Sequence, residues 1–235
     1  MKRILWLLLA LVGLLAAACG SGGDESASEG EADGLAGRAP PVATVTATAT
    51  AEAPVGDVSD RLDEMALDED DVPRGLAPMG EMTFDYDMEM LGLVGPQGGK
   101  AHMTMFAGPG QEEMVVSMVI LLDDAEAVEQ ALDQMDKVSA EQIQDAFGMM
   151  DDFGGLELQD LRVLDVSSLG EAAFGLAMKL EMPQLGAADM QMVFFGRDSV
   201  MAMAMTMGMS GGAAADAVPL AEVMDAKIKD VLALY

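Results

Sequence analysis

Hydrophobic side chains recur at every second position along much of the chain beyond residue 58, the period of a strand with one face buried. Met82, Phe84, Tyr86, Met88 and Met90 alternate with Thr83, Asp85, Asp87 and Glu89, which gives one apolar face and one acidic face. The same signal predicts extended runs over 101–107, 114–122, 156–166, 173–182, 190–196 and 200–209. Gly95-Pro96, Gly108-Pro109-Gly110 and Gly154-Gly155 supply turn residues between them.

Two segments carry helical spacing instead. Within 123–150, Val128, Ala131, Leu132, Met135 and Val138 fall at three- and four-residue steps, with Asp123 as the expected N-cap and Glu126 at its third position. Ser139 and Gln142 repeat that capping pattern, so a bend near Ser139 is expected. Within 219–235, Leu220, Val223, Met224, Ile228, Val231 and Leu232 form an apolar stripe, and Pro219 suits a first turn. The order of three strands, helix, four strands, helix predicts one α+β domain over 58–235. It would be an antiparallel sheet of about six to seven strands, with the central helical segment and the C-terminal helix packed on one face. The C-terminal helix is expected to cover the methionine face of the 200–209 strand. No cysteine lies in this domain, so its stability rests on a packed core and not on disulfides.

The N-terminal residues read differently. Met1-Lys2-Arg3 is basic and Ile4 to Leu15 is uncharged and apolar, too short to span a bilayer and the right length for a signal-peptide core. Ala16-Ala17-Ala18 precede Cys19, the single cysteine. The segment resembles a bacterial lipoprotein signal, which implies cleavage after residue 18 and a diacylglycerol on the Cys19 thiol. Ordinary signal peptidase would cut the same bond, and the alternative is a secreted soluble protein with Cys19 as a terminal thiol. Residues 20–57 consist of Gly, Ser, Ala, Thr, Pro and acids with little that packs, and read as a disordered acidic tether. As a flexible coil it spans on the order of 35 Å.

Charge narrows the function classes. The chain has 235 residues with 41 acidic and 12 basic side chains, a formal net charge of -29. Such a surface repels nucleic acid, whose binding rests on Lys and Arg neutralising phosphates, so no nucleic-acid partner is expected.

Catalytic patterns are weak. Gly208-Met209-Ser210-Gly211-Gly212 fits a nucleophile elbow, but that chemistry needs a helix after the serine and a histidine downstream, and the single histidine, His102, lies upstream. One histidine makes no usual zinc site. The acids of Asp68-Glu69-Asp70-Asp71 suggest calcium, yet Val72 and Pro73 break the loop register, which leaves a solvated loop. Asp85, Asp87 and Glu89 share a strand face and suggest a loosely held cation.

Methionine is abundant, with 23 residues. Met201, Met203, Met205, Met207 and Met209 line one face of a strand while Ala202, Ala204, Thr206 and Gly208 line the other. Core packing is the reading preferred here, with two alternatives open: a Met-lined groove carrying an apolar molecule, and Cu(I) held by Met201, Met203, Met205 and Met207. His102 cannot join its neighbours Met103 and Met105 in such a site, because adjacent strand residues face opposite ways.

Four motifs carry a further likeness: Asp70-Asp71-Val72-Pro73-Arg74-Gly75, the turn Leu169-Gly170-Glu171-Ala172, the hairpin Val193-Phe194-Phe195-Gly196-Arg197-Asp198-Ser199-Val200, and Leu220-Ala221-Glu222-Val223-Met224-Asp225. Together they resemble the exported bacterial lipoproteins of uncharacterised function with a PsbP-like α+β domain. The resemblance implies fold and location and brings no catalytic residue. The expectation is therefore a lipid-anchored, non-enzymatic protein of the cell envelope, without a cofactor. Its anchor is Cys19, and its acidic domain binds an unidentified protein or small ligand.

Overall fold

The computed structural model describes residues 57–86, 99–137, 143, 157–182, 186–209 and 214–235. Seven strands, β1 (Ala77–Tyr86), β2 (Gly99–Ala107), β3 (Glu113–Leu121), β4 (Glu157–Val163), β5 (Ala172–Met182), β6 (Gly186–Arg197) and β7 (Val200–Met209), form one sheet. Their order across it is β1-β2-β3-β7-β6-β5-β4, and every pairing is antiparallel. Two meanders, β1 to β3 and β4 to β7, are thus joined where β7 pairs with β3. Among the described residues the α-helices with assigned bounds are α1 (Leu62–Met65), α2 (Ala125–Asp136) and α3 (Ala217–Leu232).

The antiparallel α+β architecture agrees with the pattern of the sequence, but the helices do not share a face. Val128, Ala131, Leu132 and Met135 of α2 pack with Met201, Met203, Met205 and Met207. Leu220, Ala221, Met224 and Ile228 of α3 pack with Ala202 and Ala204 on the other side of the same strand. The expectation that α3 covers the methionines is therefore corrected. β7 is central, so both its faces must be buried, and the alanines that look like filler in the sequence form the floor into which large helix side chains fit. The α1 segment completes that layer with Leu62, Met65 and Leu67. It is tied to the sheet by Leu67, whose N–H donates to Ser117 Oγ (3.1 Å) and whose carbonyl accepts from Thr104 Oγ1 (3.2 Å).

Local chemistry explains where the elements begin. The cap of α2 is Asp124, one residue beyond the expected Asp123; its carboxylate accepts from Ala127 N at 2.8 Å. Asp216 caps α3 by accepting from Val218 N at 3.1 Å, which puts Pro219 inside the first turn. α2 can lie close to the sheet because a Cβ on Gly196 would stand 2.3 Å from Val128 Cγ1. The first strand starts at Ala77, five residues before its expected start. Residues 87–90 of that expected strand, the bend near Ser139 and the second half of the expected central helix, apart from buried Ile143, lie outside the described residues.

Met203 and Met205 are each 1% exposed and sit in a row of side chains running across the sheet. As pure packing residues they should tolerate a swap of similar volume. Met203→Leu is expected to cost less than about 1.5 kcal/mol in a urea unfolding titration. A larger loss would show that the thioether has a role beyond filling space.

Candidate functional site

The two outer strands differ in how their free edges are protected. β4 carries a register shift between Leu158 and Asp160 and exposes charges of both signs, Asp160 and Arg162, before Val163. These are ordinary devices against unwanted strand pairing. β1 has Pro78 and a register shift between Pro78 and Gly80 at its start. From Gly80 to Tyr86 its pairing with β2 runs without interruption, and that stretch contains no lysine or arginine.

Alternation then sorts the β1 side chains. Met82 and Phe84 pair with Met103 and Ala101, so they continue the buried methionine face outward to the edge. There they are 45% and 36% exposed, with Met79 nearby at 48%. The apolar face predicted for this strand therefore exists over Met82 and Phe84, and among the described residues no helix covers it: the strand lies at the sheet's margin, whereas α2 packs on β5, β6 and β7. Glu81, Thr83 and Asp85 occupy the opposite face and are exposed. The cation next to them, Lys100, lies across from Asp85 and stands 3.8 Å from Asp60. Among the described residues, the result is an unpaired strand edge with apolar side chains on one side and acids on the other.

The residues singled out in the sequence fall as follows. Cys19 lies outside the described residues, as do Asp87, Glu89 and Ser210. Met201, Met203, Met205 and Met207 are buried in the core and pack against α2. His102 is buried on the α3 side of β2, with Nδ1 2.8 Å from Thr83 Oγ1 and Nε2 without a partner among the described residues. Met103 is on the opposite face, as strand geometry requires. The acids of 68–71 form more than a solvated loop. Asp68 and Asp71 both accept from Lys227 Nζ of α3, Asp68 at 2.7 Å, and the same amine donates to the Ala66 carbonyl at 3.1 Å. The bond from Lys227 holds the Asp68 carboxyl below its ordinary range. Lysine thus fills the place considered for calcium.

A second feature was not visible in the sequence. A cleft of about 600 Å³ opens between α2 and the β6–β7 hairpin, lined by Glu126, Glu129, Glu171 and Asp198 over the small residues Ala172 and Gly196. A smaller one of about 410 Å³ lies by Lys100, Asp85 and Asp123. Methionine lines neither cleft. Among the described residues no group of three or more His, Cys, Asp or Glu side chains is placed to hold a metal. No described helix is long and apolar enough to cross a membrane.

No family model and no curated protein matches the chain. Two solved structures are similar to it. The extracellular domain of PknH from Mycobacterium tuberculosis shares 12% identity over 74% of this chain and 96% of that one, with a TM-score of 0.47. An uncharacterised protein (Rv0999 ortholog) from Mycobacterium smegmatis shares 11% identity over 77% of this chain and 99% of that one, with a TM-score of 0.45.

Proposed function

We propose that this is an exported lipoprotein of the cell envelope, anchored through Cys19, whose acidic α+β domain is a non-enzymatic docking module for a partner protein. The observation that carries the docking part is the edge of β1, unpaired among the described residues, with Met79, Met82 and Phe84 exposed and no basic gatekeeper along it. Proteins that have no use for such an edge protect it, as this one does at β4. A partner that adds a strand there gains main-chain hydrogen bonds as well as side-chain contacts. The anchoring part rests on the basic, apolar and small-residue order before Cys19 and on the tether that follows. Likeness to the PsbP-like exported lipoproteins, carried by the four motifs, is in keeping with the location.

Metabolic labelling with a fatty-acid probe tests the anchor. The wild type is expected to take up label and stay with the membrane fraction, and Cys19→Ala to lose both. Release of unlabelled wild type into the medium would refute the anchor. Docking is tested by placing a photo-crosslinking residue at Phe84 or, as control, at Val163 on the other edge. A discrete adduct from Phe84 alone is expected in the intact envelope, and equal yields from the two positions would refute a docking edge.

A further inference from the structure

We infer that the strand received at the β1 edge is a basic one, an extended protein segment with lysine or arginine at every second position and apolar residues between them. This rests on the docking reading above and names the chemistry of the partner. Glu81, Thr83 and Asp85 point to one face of β1 and Met82 and Phe84 to the other, with register kept from Gly80 to Tyr86. A strand laid along that edge meets the same alternation. Residues on one of its faces stand beside two carboxylates, and residues on the other rest on a thioether and an aromatic ring. Opposite charges across a strand pair stabilise it and like charges destabilise it, while apolar pairs are favourable on the other face.

Charge complementarity selects among possible occupants. A second copy of this chain pairing about Thr83 would set Glu81 against Asp85 twice, on a molecule whose net charge is already -29. An acidic or neutral strand would leave the carboxylates unanswered. Lys100 does not answer them either, since Asp60 and Ser59 already surround its amine. A basic strand meets both acids and is drawn by the long-range field of the domain as well.

Peptides test this on the full-length protein in detergent micelles. The probe alternates lysine and valine, and the comparison peptides alternate threonine and valine or glutamate and valine, all read by fluorescence anisotropy. The lysine peptide is expected to bind tightest and to weaken as salt rises. Glu81→Gln with Asp85→Gln should weaken it about tenfold, and Met82→Ser with Phe84→Ser should weaken it similarly. Glu126→Gln with Glu129→Gln, which removes the same charge from the acidic cleft, should change it less than about twofold. Equal losses from the edge and cleft variants would overturn the proposal, because they would reveal general attraction to a polyanion. If the threonine peptide binds as tightly as the lysine one and is lost in the Met82/Phe84 variant, the edge docks strands but the basic chemistry is wrong. If no peptide responds to any β1 variant, the docking edge falls with it.

Discussion

Asp225→Ala is expected to destabilise the domain by about 3 kcal/mol, seen as a lower midpoint in urea unfolding with an unchanged slope. Asp225 is 3% exposed on α3 and takes a two-pronged bond from Arg197, whose Nε and Nη2 donate at 2.7 and 3.3 Å. Lys229, one turn on, donates to the same carboxylate at 2.5 Å. Truncation leaves a half-buried guanidinium without its partner, and breaking a buried pair costs more than the pair itself contributes. Arg197 keeps some solvent access, which holds the cost at about 3 kcal/mol, against up to about 5 kcal/mol for a fully buried partner. A loss below about 1 kcal/mol would mean that water replaces the carboxylate without penalty. Acid should act on the same bond. Burial pushes the Asp225 carboxyl up, but the bonds from Arg197 and Lys229 outweigh it, so the group titrates below its ordinary range in the folded state. Its stabilising effect is then complete above about pH 4 and disappears as the pH falls through the lowered value. The variant's curve of stability against pH should accordingly be flatter than the wild type's on the acid side.

Gly170→Ala is expected to cost about 2 to 4 kcal/mol, from a left-handed backbone and from overpacking. Gly170 has φ +53, and an added Cβ would stand 2.3 Å from the Gly196 carbonyl oxygen, a backbone atom that cannot swing away. That oxygen also accepts from Glu171 N at 2.8 Å, so retreat of the strand would break the bond that docks this turn on β6. Gly110 makes a matched control. Its φ is +78, but only Glu112 Cγ comes within reach, at an ordinary contact distance of 3.9 Å. Gly110→Ala should therefore show the conformational part of the loss alone, about 1 kcal/mol. Equal thermal shifts for the two variants would refute the clash.

Period two was a sound guide to the strands because a sheet this wide buries one face of nearly every one of them. It could not tell a central strand from an edge, and Met82 and Phe84 look in the sequence like any core pair. The same limit hid the second helix layer, since alanine at 202 and 204 gives no sign of whether a helix lies above it. α1 was illegible for a different reason: four residues, two of them acidic, carry no period at all, and Leu62 and Met65 are recognisable as core only once β2 and β3 lie beneath them. The Arg197 and Asp225 pair joins two motifs that the sequence shows separately, 28 positions apart. Cap placement erred by one residue at α2, where Asp123 and Asp124 are adjacent and only the backbone decides which of them turns inward.

The distribution of sulfur across the sheet sets the order in which oxidants reach it. Met203, Met205 and Met192 are sealed, whereas Met79 and Met82 are open to solvent on the β1 edge. Peroxide or hypochlorite would therefore convert the edge thioethers to sulfoxides long before the core, and each sulfoxide replaces an apolar contact with a polar, chiral one. The interior survives such an episode with its packing intact. What changes first is the exposed apolar face of the outermost strand, so chemical damage at this protein would register there as a more polar surface well before any loss of fold.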